Sequence, residues 1–216
     1  MEQYVDAFQR RGVPDVLRVF AVIDTKKHKV CKPGENQRAL YSGHKQIHCI
    51  KYQTLEGPDG LILHCTPCFD GRRGDGYILR RSGLVNYLRR HELFVDFVIL
   101  GDSAYPNNDV MVSIFKGRNL PAAAKAFNTV MCPLRTCVEW GYSKIIQYWA
   151  FVDFHKQMKL QRVRVEAMWR IAVFLTNSLL CARGYNQICK YFDLPPPTLE
   201  DFLETTMNAY YNHLNN

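Results

Sequence analysis

At 216 residues, with 47% hydrophobic and 12% aromatic residues, the chain has material for one domain with a core, is short for two, and lies outside the disordered class. Its formal net charge is +8 and its pI is near 9.1. The tail from Pro197 onward has no Lys or Arg and carries Glu200, Asp201 and Glu204, so the body before it is the more basic part. That balance points to a polyanion partner such as nucleic acid, although many soluble proteins share it.

Met1 is followed by the polar Glu2-Gln3-Tyr4 rather than by a basic and then an apolar region, so no secretory signal is expected. The most apolar run, Ile171 to Ala182, is flanked by Arg170 and Arg183. It falls well short of the ~20 residues a bilayer span needs and reads as a buried core helix, with no membrane partner. Eight cysteines without a signal suggest reduced thiols in an intracellular protein. Cys65-Thr66-Pro67-Cys68 is a single CxxC. A structural zinc needs four ligands, and Cys132 and Cys137 complete no familiar spacing, so buried free thiols are the expectation.

Along the chain, Leu17 to Asp24 (LRVFAVID) reads as a strand ending in a carboxylate, and Lys45 to Leu55 as a second strand. Glu56-Gly57-Pro58-Asp59-Gly60 is a turn, and Leu61 to Phe69 is the returning strand of a hairpin. Tyr77 to His91 has helical spacing broken at Ser82-Gly83. Leu93 to Leu100 (LFVDFVIL) is almost wholly apolar, as a strand buried on both faces would be. The second half is helical. Ala122 to Trp149 is one helix, with Pro133 kinking it or starting it, and Leu160 to Ala182 is another. Pro195-Pro196-Pro197 halts regular structure, and Thr198 caps a final amphipathic helix. Strands followed by helices imply an α/β or α+β domain with a mixed sheet.

Within that outline Asp24 closes one predicted strand, Asp102 closes another, and Glu139 lies inside a long helix. Carboxylates at the carboxyl ends of adjacent strands share one sheet edge, where open sheets place their sites. Clustered carboxylates raise one another's pKa and need cations; hard oxygen ligands suit Mg²⁺ or Mn²⁺. Two such ions about 3.5–4 Å apart can serve both the attacking and the leaving oxygen of a phosphodiester. The plain alternative for each acid alone is a loop cap.

Several segments, in order, carry a resemblance. They are Gly12-Val13-Pro14 with Ala21-Val22-Ile23-Asp24; Tyr41 to Lys45 with His48 to Gln53; Pro58-Asp59-Gly60; and Gly71-Arg72-Arg73-Gly74-Asp75. They continue with Leu100-Gly101-Asp102-Ser103-Ala104-Tyr105-Pro106, the most specific, and then Phe127-Asn128, Arg135 and Val138-Glu139-Trp140-Gly141. From about Gly12 to Leu199 the chain resembles the DDE superfamily endonucleases of PIF/Harbinger type, a transposase-derived group. The resemblance implies a ribonuclease-H-like mixed central sheet flanked by helices, with a helical C-terminal part. It also implies a divalent-metal-dependent nuclease with DNA as substrate, cleaving phosphodiester bonds and joining freed 3′ hydroxyls to target DNA. Asp24 would bridge two Mg²⁺ or Mn²⁺ ions, and Asp102 and Glu139 would each complete one sphere. Residues 1–195 form the catalytic domain and 196–216 a helical tail. The family's N-terminal DNA-binding region is expected to be missing, since Met1 lies close to Asp24. The implied setting is the nucleus, with a separate DNA-binding protein as a partner and an oligomer allowed. Two positions depart from the family: Thr25 stands where Gly is usual after the first aspartate, and Gly74 replaces the His of a His-Asp pair.

Other residues have two readings each. Arg135 and Glu139, four apart, form a surface ion pair, or Arg135 orients Glu139 and touches a phosphate. Asp75 caps its loop or is an accessory acid. Lys26, Lys27, Lys29 and Lys32 form a solvated face or contact DNA backbone. His44 and His48 are expected to pack or hydrogen-bond, and Trp140, Tyr148, Trp149 and Phe151 to be core. The competing function is a catalytically inactive remnant that binds DNA or protein; a basic scaffold would leave the ordered motifs as coincidence.

Overall fold

A computed structural model describes residues 1–153, 159–160 and 162–214. In chain order the elements are α1 (Glu2–Gln9), β1 (Val19–Lys29), α2 (Gln37–Leu40), β2 (Tyr41–Ser42), β3 (Ile47–Glu56), β4 (Ile62–Cys65) and β5 (Phe69–Asp70). There follow α3 (Asp75–Ser82), α4 (Leu84–Arg90), β6 (Val98–Gly101), β7 (Met111–Ser113), α5 (Ala122–Tyr148), α6 (Val165–Arg183), α7 (Gln187–Phe192) and α8 (Leu199–Leu214). The sheet runs β2-β3-β1-β6-β7, with β4 and β5 also paired to β3. Strand β3 is antiparallel to β1, while β6 is parallel to β1 and β7 parallel to β6. This is a mixed α/β sheet of ribonuclease-H-like order with a helical C-terminal part.

Alternation along β1 and β3 divides the core. Val22, Ile50, Tyr52 and Leu100 face α5 and α6, meeting Met131, Leu134, Tyr142, Trp169 and Ala172. The Tyr52 and Trp169 rings stack 5.0 Å apart at 6°. Ala21, Ile23, Leu55 and Ile99 face the other way, toward Val5 of α1, Leu79 of α3 and Leu84 and Leu88 of α4. Asn177 of α6 docks that helix onto the sheet: its Oδ1 accepts from the Ile62 N–H and its Nδ2 donates to the Ile62 carbonyl, both at 3.0 Å.

Several sequence expectations need correction. Strand β1 does not end at Asp24 but continues to Lys29, because Thr25 to Lys29 pair with β3 residues Gln53 to Cys49. The apolar run from Leu93 is not a strand throughout. Glu92–Phe94 is a 3₁₀ turn, Asp96 takes a left-handed φ of 69°, and only Val98–Gly101 joins the sheet. Leu93 and Val95 are accordingly exposed. The helix expected from Leu160 starts at Val165, and residue 161 lies outside the described residues. Helix α5 runs unbroken through Pro133, which is exposed, so the carbonyl deprived of its donor lies near solvent.

Helix α6 is long and apolar enough by composition to cross a membrane, yet here it buries Trp169, Ala172 and Leu180 and leaves Ile171 and Phe174 exposed. Trp140, Tyr148 and Trp149 are half-buried rather than core, and Phe151 is exposed. The Thr198 cap forms, with the Asp201 N–H donating to Thr198 Oγ1 at 3.2 Å. Helix α1 and strand β7 are not among the elements expected from the sequence.

Candidate active site

Strand register brings the first two acids together. Val22 of β1 pairs with Leu100 of the parallel β6. Asp24 and Asp102 each lie two residues beyond that pair, so they stand level on the same face, Asp24 midway along β1 and Asp102 just past the end of β6. Beyond β6 the chain turns sharply: Asp102 Oδ1 accepts from the Ala104 N–H at 2.8 Å, and the Asp102 carbonyl accepts from the Tyr105 N–H at 3.1 Å. Tyr105 is thereby turned inward, where its hydroxyl lies 2.8 Å from Thr25 Oγ1 and accepts from Gln53 Nε2 at 3.2 Å. Thr25, the departure after the first aspartate, thus anchors the loop that carries the second.

Helix α5 is pinned across this edge by Tyr142. Its hydroxyl donates to the Asp24 carbonyl at 2.9 Å and accepts from Thr54 Oγ1 at 2.6 Å, on the strand residue paired with Asp24. Three and seven residues before Tyr142 stand Glu139 and Arg135, on the same helical face. Arg135 Nη2 is 3.6 Å from Glu139 Oε1, with the Glu139 side chain 57% exposed. At the start of α5, Asn128 clamps both the N–H and the carbonyl of Phe115 at 2.9 Å.

Asp75 enters from the opposite side, as the first residue of α3. Its Oδ1 is 3.5 Å from Nζ of the buried Lys51, which also donates to the Arg73 carbonyl. That Oδ1 is buried without a hydrogen-bond partner. Next to it, a Cβ at Gly76 would stand 3.3 Å from the Ala104 carbonyl, so the N-terminus of α3 rests on the Asp102 turn.

The electrostatics follow from this gathering. Burial pushes the Asp24 carboxyl up. The Thr25 N–H and the Arg135 guanidinium pull it back, and the charges of Asp102 and Asp75 push it up again. Asp24, Asp102, Asp75 and Arg135 therefore share one electrostatic neighbourhood, with Glu139 reached through Arg135. The acids among them offer hard oxygens, the kind a divalent cation takes, and the like-charge crowding at Asp24 is a feature a cation would relieve. Among the described residues no three His, Cys, Asp or Glu side chains stand close enough together to hold one ion.

The lysines spread along the strand. Lys26 shares the face of Asp24, its Nζ 5.3 Å over the Tyr142 ring. Lys27 pairs with Lys51 across the sheet, Lys29 ends the strand, and Lys32 lines a groove with Lys159 and Arg162. All eight cysteines are free thiols; Cys132 is exposed and Cys31, Cys65 and Cys68 are half-buried, so only four of them sit in the core. Cys68 Sγ donates to Glu166 Oε2 at 3.1 Å. The His48 ring packs 5.3 Å from Tyr41.

Glu56 escaped sequence analysis. It ends β3, pairs with Val22 and lies on the face of Asp24, wholly buried and with neither carboxyl oxygen hydrogen-bonded. Burial drives its carboxyl well above the usual carboxylate range, and the Asp24 charge adds to that. It fits only because residue 141 is glycine, where a Cβ would stand 2.5 Å from Glu56 Oε2. Its place in a turn-like Glu-Gly-Pro-Asp-Gly segment gave no hint of burial.

Neither a curated protein nor a solved structure matches the chain. The family model described as DDE superfamily endonuclease matches residues 23–177, a span that contains Asp24, Asp75, Asp102, Arg135 and Glu139. The chain therefore belongs to the DDE superfamily endonucleases.

Proposed function

We propose that this domain is a divalent-metal-dependent DNA endonuclease, of the transposase-derived kind, working on DNA in the nucleus with a separate DNA-binding protein. The observation that carries the reading is the Val22–Leu100 register, which sets Asp24 and Asp102 side by side within the span that matches the family. Asp24 and Asp102 would hold the cations, with Glu139 as the third acid from α5. Bound there, the cations would supply Lewis-acid activation of the attacking water or 3′ hydroxyl and of the leaving oxygen. The protein's own part is positioning. Tyr142 fixes α5 against Asp24, Arg135 orients Glu139 and offers its guanidinium to the scissile phosphate, and Lys51 balances Asp75.

The purified chain is expected to nick supercoiled plasmid with Mg²⁺ or Mn²⁺ and to stop when EDTA is added. Nicking that persists in EDTA would reject the reading. A second reading, a DNA- or protein-binding remnant, is favoured by the lack of a ready three-ligand cluster among the described residues. It predicts DNA binding with no cation-dependent nicking at any Mn²⁺ concentration.

A further inference from the structure

The loop before α3 and the two helices that follow carry Arg72, Arg73, Arg80, Arg81, Arg89 and Arg90. Folding explains why they point outward: Ile78, Leu79, Leu84 and Leu88 turn into the core and leave the opposite face to the arginines. Some are already engaged. Arg89 grips Asp109 with two bonds, at 2.8 and 2.5 Å, and Arg73 stacks on Tyr77 at 4.4 Å with Asp70 at 3.7 Å. Arg72, Arg80 and Arg81 are exposed and have no carboxylate partner among the described residues. A position in the last turn of α3 accounts for Arg80 and Arg81 by the helix dipole, but not for Arg72.

Their location is what matters. Arg80 Nη1 comes within 3.9 Å of the Cβ position at Gly76, and the Ala104 carbonyl of the Asp102 turn lies 3.3 Å from that same position. The Arg80 guanidinium thus lies over the first turn of α3, the turn that begins with Asp75 and rests on the Asp102 turn. Of the lysines of β1, Lys26 is already engaged over the Tyr142 ring, and Lys29 lies about 16 Å along the strand from Asp24 at ~3.3 Å per residue.

We propose that a DNA backbone reaches the acids across α3, with Arg72, Arg80 and Arg81 neutralising its phosphates, and not across the lysines of β1. The proposal rests on the endonuclease reading for its choice of DNA as the polyanion. Guanidinium groups suit phosphate oxygens, and each phosphate neutralised adds about 0.9 to the salt slope of binding.

The test is fluorescence anisotropy of a labelled 20-base-pair duplex with the full chain in EDTA, at a series of KCl concentrations. Arg72→Ala/Arg80→Ala/Arg81→Ala is expected to flatten the slope of log K against log salt by roughly 2.7, from about 0.9 per phosphate. Lys26→Ala/Lys27→Ala/Lys29→Ala/Lys32→Ala is expected to flatten it by less than about 1. Replacing the three arginines by lysine should retain most of the slope, since charge is conserved, whereas a merely structural role would not be rescued. An unchanged slope in the arginine-to-alanine variant, or a larger loss from the lysine variant, overturns the proposal. Cation-dependent nicking decides the endonuclease reading separately. A chain that nicks but ignores the arginines loses only this proposal, and one that binds through the arginines without nicking loses only the other.

Discussion

Asp24→Asn and Asp102→Asn are each expected to cut cation-dependent nicking by about 10³-fold while leaving the fold intact. A carboxylate holding a catalytic cation contributes several kcal/mol to the transition state, and each ~1.4 kcal/mol is a decade in rate. An amide keeps the shape and loses the charge. The stability effect should have the opposite sign. Asp24 is crowded by Asp102 and Asp75 and raised by burial, so its amide relieves repulsion in the cation-free protein. Melting temperature in EDTA should therefore hold or rise, while the stabilisation on adding Mn²⁺, about 2.7 kcal/mol of unfolding free energy at a hundredfold excess over Kd for the wild type, should shrink. Asp75→Asn makes a poorer probe, because it would leave the buried Lys51 with only the Arg73 carbonyl. Asn variants that nick at the wild-type rate would remove Asp24 and Asp102 from the mechanism.

Much of this neighbourhood was legible in the sequence, because strand runs and the Leu100 to Pro106 segment mark where Asp24 and Asp102 lie. What was not legible is how polar residues come to be buried. The expected strand stops at Asp24 and the lysines after it read as a solvated face or a DNA contact, yet Thr25 to Lys29 continue the strand. Thr25 is satisfied by Tyr105, and the buried His28 bonds through Nε2 to the Val152 carbonyl at 2.8 Å. Both partners are distant in sequence, and no local pattern announces them. The converse error arose at Leu93 to Val95, where an apolar run lies on the surface because Asp96 takes a left-handed turn before β6. Hydropathy records what a side chain prefers, and tertiary partners decide where it goes. Glu139 shows the same limit. Helical spacing predicts its link to Arg135, but only the Tyr142 anchor shows which face of α5 meets the sheet.

Glu56 gives the second large effect. The folded chain holds this carboxyl protonated well above the usual range, whereas the unfolded chain releases the proton near 4.5. Between those values the folded state binds the extra proton, so stability falls as pH rises, by up to about 1.4 kcal/mol per pH unit from this one group. Asp24 and Asp59, also raised by burial, add in the same direction. Glu56→Gln should remove the Glu56 share of that slope yet keep an unpaired buried amide. Glu56→Met, of similar length and free of polar atoms, should also recover about 1–3 kcal/mol of lost solvation. Urea unfolding at pH 5 and pH 8 measures both. The Met variant should gain most over the wild type at pH 8 and least at pH 5, and a wild type that stays the more stable at pH 8 would show that the carboxyl has found a partner. Its position behind Asp24 makes nicking by the same variant informative. If stability rises while nicking falls, the unpaired carboxyl is tolerated for its effect on the charge of Asp24; if nicking is unchanged, it is only a cost that Gly141 allows the fold to carry.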